Sequence, residues 1–134
     1  MSSKQTRKSA SEIIAGAIKL FRDGKGWNNY GLHGTTDDGE DTFCAIGGLQ
    51  KAAFNQVVSS GYTGGFSPRF TSKPDNVEAY EKAHNLIKAA AGIKKSIPEW
   101  NDALPAGAKS YVKIKKAFCS ALKVALKQEA PKKK

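Results

Sequence analysis

The stretch S9-A-S-E-I-I-A-G-A-I-K-L-F-R22 decides the fold class. Ser9 followed three positions later by Glu12 is a capping box, in which each side chain satisfies a backbone N–H that the first helical turn leaves free. Ile13, Ile14, Ala17, Ile18 and Phe21 then recur at helical spacing and make one apolar stripe. The spacing predicts a helix through about Arg22, stopped by Gly24 and Gly26. A helix with one apolar stripe must bury it against other elements, so the rest of the chain is read for partners.

Outward from this helix the same periodicity returns three times. Asp41 or Thr42 can cap a second helix over about 43–58, with Phe43, Ile46, Leu49, Ala53, Phe54 and Val57 facing inward. Gly47 and Gly48 lie inside it at about 1 kcal/mol each against Ala. Such glycines are tolerated where another backbone or a large ring packs closely, and Trp27 and Trp100 are the rings considered. Pro74 and Asp75 open a third helix, which runs to about Ala91 and is closed by Gly92. Val77, Tyr80, Ala83, Leu86, Ile87 and Ala90 are its inward positions. A last helix over about 108–127 puts Tyr111, Ile114, Phe118, Leu122 and Ala125 on one face.

Between these lie less regular segments. Residues 26–41, with the turn signal Asp38-Gly39, read as a loop or short hairpin. Residues 59–73 read as a long loop and 96–105 as a second irregular stretch. The expected fold is mainly α: a single compact domain of about four helices, with two irregular connecting loops and basic flexible termini. The expected boundaries are a basic arm over 1–8, a helical domain over 9–127 and a lysine-rich tail over 128–134.

The chain has 134 residues, 40% of them apolar, with 22 Lys and Arg against 12 Asp and Glu, a net charge of +10. One domain with a modest core fits that length and composition. No run of about 18 apolar residues occurs, which excludes a membrane-spanning helix. A signal peptide ahead of Phe21 is disfavoured by Glu12, Lys19 and Arg22 and by the lack of a small-residue cleavage site. Cys44 and Cys119 are too few for a disulfide framework and favour a reducing compartment.

The charge is unevenly spread. Residues 1–11 carry Lys4, Arg7 and Lys8 without an acid, and residues 109–134 carry nine lysines against Glu129 alone. The stretch 12–108 holds ten basic and eleven acidic residues, so it is close to neutral. Lysine-rich ends neutralise phosphates without reading sequence, or they keep a protein soluble. Arginine occurs only at positions 7, 22 and 69, which argues against bidentate base or phosphate recognition.

Three short motifs, Gly26-Trp27, Cys44-Ala45-Ile46-Gly47-Gly48-Leu49 and Trp100-Asn101-Asp102, together resemble a family of small uncharacterised bacterial and phage proteins. In that family a leading helix is followed by Gly-Trp, a Cys-Ala-x-Gly-Ala-Leu helix start and a late Trp-Asn-Asp before a closing helix. The likeness spans about residues 9–126. The chain departs from it at Gly48, where the pattern has Ala, and in its lysine-rich end. The resemblance implies a shared fold and a phage or bacterial origin. It implies no activity, because the family has none established.

Four groups of residues carry side chains capable of chemistry. Cys44 at a helix start, with His33 or His84 and Asn101 or Asp102 elsewhere, has the layout of papain-like hydrolases; its apolar neighbours Phe43, Ala45 and Ile46 favour a buried thiol instead. Asp37, Asp38, Glu40 and Asp41 lack the ligand spacing of a calcium loop and read as a solvated turn, paired with the protein's own lysines or those of a second copy. His33, His84, Cys44 and Cys119 lack the spacing of a compact zinc site. Trp27, Trp100 and Tyr30 either stack on bases or seal a small core, and few cations flank them in sequence.

The expectation is therefore a non-enzymatic binding protein without cofactor or metal. Its candidate polyanion-binding residues are Lys109, Lys113, Lys116, Lys123, Lys127, Lys132, Lys133 and Lys134, with nucleic acid as the partner, bound non-specifically. The alternative is a protein-interaction module, a virion component or an inhibitor of a host protein, using Tyr62, Phe66, Arg69 and Phe70. A hydrolase acting through Cys44 is the third reading. The expected location is the cytoplasm of a bacterial or phage-infected cell, or a virion.

Overall fold

Ser9 caps the first helix as its spacing requires. Its hydroxyl accepts from the Glu12 backbone N–H at 3.3 Å, and Glu12 accepts from the Ser9 N–H at 2.8 Å. The computed structural model describes residues 8–29, 33–54, 77–94, 96–105 and 107–129. Within them the chain forms α1 (Ala10–Phe21), a single 3-10 turn (Arg22–Gly24), β1 (Gly34–Thr35), β2 (Asp41–Thr42), α2 (Ala45–Phe54), α3 (Val77–Ala91), α4 (Ile97–Asp102) and α5 (Ala108–Glu129). The protein is mainly helical, a single compact domain with four helices of seven or more residues, the short α4 and a two-stranded antiparallel ribbon.

The apolar stripe of α1 is the centre of the core. Ile13, Ile14, Ala17 and Phe21 are fully buried, and α2, α3 and α5 all pack on this helix. Phe21 meets Phe118 edge-on at 5.3 Å between ring centroids and Tyr111 at 5.9 Å. These aromatic contacts tie the end of α1 to α5. The helix then stops in three consecutive left-handed residues, Arg22, Asp23 and Gly24. Two of them are not glycine, a conformation that needs outside support. The Arg22 guanidinium supplies it, donating to Glu40 at 2.6 Å and to the Asp41 carbonyl at 2.9 Å, while Asp23 pairs with Lys115 at 3.1 Å.

Gly26 follows with no room for any other residue, since a Cβ there would lie 2.2 Å from the Leu20 carbonyl oxygen. Its own carbonyl accepts from Phe43 N–H, and Asn28 N–H donates back to the Phe43 carbonyl, a short parallel bridge. This pairing corrects the expected second helix. Asp41 and Thr42 do not cap it; their backbone is used by the ribbon, paired to Thr35 and Gly34. Phe43 is held by the bridge, so α2 begins at Ala45 rather than at Phe43. Phe43, Ile46, Leu49, Ala53 and Phe54 are buried as read, whereas Val57 lies outside the described residues.

The partner of Gly48 is neither Trp27 nor Trp100. A Cβ on Gly48 would lie 2.7 Å from Cε1 and Cζ of Phe21, so the glycine lets α2 close on the α1 aromatic. In α3, Val77, Tyr80, Ala83 and Ile87 are buried and Leu86 is partly so, but Ala90 is exposed, contrary to its predicted inward position. Gly92 closes the helix in the left-handed conformation, with φ of 66°. The expected opening of this helix at Pro74 and Asp75 lies outside the described residues.

Residues 97–102, read as irregular, form α4. Ser96 and Glu99 make a second capping box, the hydroxyl accepting from Glu99 N–H at 3.3 Å. In α5 the buried face is Tyr111, Ile114, Ala117, Phe118, Ala121 and Ala125; Leu122 is half-buried and the helix runs two residues past Lys127. No helix among the described residues is long and apolar enough to cross a membrane.

Candidate nucleic-acid interface

Burial of one face of α5 dictates what the other face shows. At about 100° per residue, positions 109, 113, 116, 123 and 127 fall in a stripe about 80° wide, roughly opposite the side defined by Ile114, Phe118 and Ala121. All five are lysines and all five are exposed. The stripe extends over about 27 Å of helix at a 1.5 Å rise per residue. Among the described residues none of these lysines has an acidic partner within ion-pair distance. Lys115, off the stripe, is the lysine of α5 that pairs, with Asp23. Glu129, the acid of this helix, is turned to α1, where it accepts from the Ser11 N–H at 3.1 Å and from the Ser11 hydroxyl. Lys132, Lys133 and Lys134 lie outside the described residues, as do Tyr30, Tyr62, Phe66, Arg69 and Phe70.

Beside the stripe, a groove of about 300 Å³ opens between the end of α3, α4 and α5. Ala90 and Ala91 line one side, Trp100 another, and Lys113, Lys116 and Ser120 the third. The two tryptophans therefore part company. Trp27 is only 7% exposed and its indole N–H donates to Asn101 Oδ1 at 2.7 Å, so it seals the core. Trp100 is partly exposed, and packing brings it the cations that its sequence neighbours lack.

Asn101 joins the three short motifs in space. Its Oδ1 accepts from Trp27 Nε1 and from the Ala45 backbone N–H at 2.9 Å, and its Nδ2 donates to the Asn28 carbonyl at 3.1 Å. One fully buried amide thus links the Gly26-Trp27 turn, the start of α2 and α4. Asn28 extends the network, donating from Nδ2 to Thr42 Oγ1 at 2.9 Å. Compared with family models, curated proteins and solved structures, the chain finds no match. What the motifs do is accordingly read from this geometry, and the geometry is that of a structural junction.

The same junction bears on Cys44. The thiol is 3% exposed and stands immediately before α2, its sulfur accepting from the Gly47 N–H at 3.4 Å. Burial pushes its pKa up, outweighing the backbone N–H groups of Gly47 and Ile46. A helix start by itself lowers a thiol pKa; here desolvation outweighs it and the sign is reversed. Neither histidine approaches it by a hydrogen bond. His33 Nε2 lies 2.8 Å from Asp41 with its ring stacked on Phe43, and His84 pairs with Asn85 at 3.2 Å. The Asn101 amide is engaged by Trp27, Ala45 and Asn28, while Asp102 acts on the thiol only as a nearby charge that raises its pKa further.

The acidic turn is also accounted for locally. Among the described residues Glu40 pairs with Arg22, and Asp41 with His33. Asp37 and Asp38 are exposed at the ribbon tip. Among the described residues no cluster of three or more His, Cys, Asp or Glu side chains could hold a metal ion.

Proposed function

We propose that the protein is a non-enzymatic binder of polyanions, with nucleic acid as the ligand that its α5 face fits best. The observation that carries this reading is the stripe of five exposed lysines without acidic partners among the described residues. A helix that needed only solubility would gain from interspersed acids, since like charges three or four residues apart destabilise it. Here Lys109–Lys113, Lys113–Lys116 and Lys123–Lys127 are all such pairs. Lysine in place of arginine fits a phosphate contact without base readout.

The test is binding of a labelled duplex to nuclease-treated protein across a salt series. Each neutralised phosphate contributes about −0.9 to the log–log slope, so engagement of the stripe gives a slope of about −4 to −5. Replacing the five lysines by Gln should remove most of that slope. Deleting residues 131–134, which leaves Glu129 in place, should remove a further part, through Lys132, Lys133 and Lys134. Absence of binding at low salt would defeat the reading and shift attention to protein partners for residues 59–73.

A further inference from the structure

We propose that the groove between α3, α4 and α5 is a base-binding subsite, and that the protein's preferred ligand is a single strand rather than a duplex. This rests on the polyanion reading and narrows it. The groove joins two chemistries that phosphate binding alone does not need. Trp100 offers a partly exposed aromatic surface, and the small side chains of Ala90 and Ala91 leave the space beside it open. Lys113 and Lys116 line the same groove, one turn apart on α5, with Ser120 a turn further on.

A nucleotide has the matching halves. Its base is a flat aromatic heterocycle whose π-face can stack on an indole, and its flanking phosphates are anions that two ammonium groups would attract. Base–aromatic stacking contributes wherever bases are unstacked, and it tolerates any sequence because every base has a π-face. In a duplex the bases remain paired and stacked on one another, so Trp100 would have nothing to hold. The volume of about 300 Å³ lies at the small end of ligand pockets, enough for one base rather than an extended ligand. The remaining stripe, Lys109 on one side and Lys123 and Lys127 on the other, would follow the backbone away from the subsite in both directions.

The experiment uses the full chain with three probes at low salt: a dT15 strand, a U15 strand and a 15-base-pair duplex. Intrinsic tryptophan fluorescence is the direct readout, because Trp27 is buried and provides a constant background. Either strand should quench the emission and bind more tightly than the duplex; the stronger of the two distinguishes a DNA ligand from an RNA one. Ala90→Leu fills the groove from an exposed helix position without changing charge. It should weaken single-strand binding roughly tenfold, the worth of one stacked base, and leave duplex affinity and its salt slope unchanged. Trp100→Phe, which keeps a smaller ring, should fall between. Equal affinity for strand and duplex with no quenching, or an Ala90→Leu variant that binds as the wild type does, would overturn the subsite and leave the lysine stripe as a plain phosphate binder. Failure to bind any of the three probes would overturn the polyanion reading together with it.

Discussion

Gly48 shows how much a single missing methyl group decides. Alanine there would gain about 1 kcal/mol of helix propensity. Its Cβ, however, would lie 2.7 Å from a Phe21 ring already held edge-on by Phe118 and Tyr111. Overpacking a closed core costs about 1–3 kcal/mol, so Gly48→Ala should lower stability by about 1 kcal/mol in denaturant titration. Relief of that contact calls for a smaller side chain at position 21. Phe21→Leu combined with Gly48→Ala should accordingly be less damaging than the two single changes summed; strict additivity would show that the ring is not the obstacle. The two thiols provide a second check at this scale. Burial holds Cys44 protonated and out of reach, while Cys119 is partly exposed. An aromatic disulfide reagent at neutral pH should therefore titrate one thiol rapidly and the second only on unfolding. Rapid reaction of both would reopen the hydrolase reading.

Among the elements, α1 and α5 are locked end to end by Glu129. Its carboxylate accepts from the Ser11 N–H, one of the donors that the first turn of α1 leaves free. Partial burial raises its pKa, but hydrogen bonds from Ser11 and Ser9, with Lys82 nearby, bring it below the ordinary value of 4.5. A lowered carboxyl pKa stabilises the folded state above the ordinary value, and that contribution is lost as pH falls through the folded one. Glu129→Gln should thus cost about 1 kcal/mol at pH 7, and the gap to wild type should close as pH drops below 4.5. A gap that persists in acid would mean that packing, not charge, joins the helices. No sequence pattern announces a contact between residues 118 positions apart. Local signals fared differently. The box Ser9–Glu12 locates α1 because a long apolar stripe follows it, whereas the same box at Ser96–Glu99 precedes a helix of six residues, too short to display a period. α2 starts later than its cap residues suggest, because Asp41 and Thr42 are good caps in isolation but are already committed to β1.

At the scale of the whole molecule, charge and packing were separable in the sequence but their meeting was not. The five lysines of the α5 stripe could be read from spacing alone, since a helix with one buried face fixes the other. The groove could not, because Trp100 lies thirteen or more residues from Lys113 and Lys116 and meets them only where α3, α4 and α5 converge. This layout predicts a conflict between stability and binding, as expected where a surface is kept for a ligand. Lys113 faces like charges at both Lys109 and Lys116, each such pair worth about 0.2–0.5 kcal/mol of destabilisation. Lys113→Gln should then raise stability by roughly 0.5 kcal/mol at low ionic strength, and the gain should fade toward 1 M salt as the repulsion is screened. The same variant should reduce the duplex-binding salt slope by about 0.9, the share of one released counterion. If it instead loses stability, the Lys113 stem is covering apolar surface near Trp100 and the groove is partly closed in the free protein. If stability rises while the slope stays unchanged, the α5 lysines repel one another without touching a polyanion, and the stripe has no part in binding.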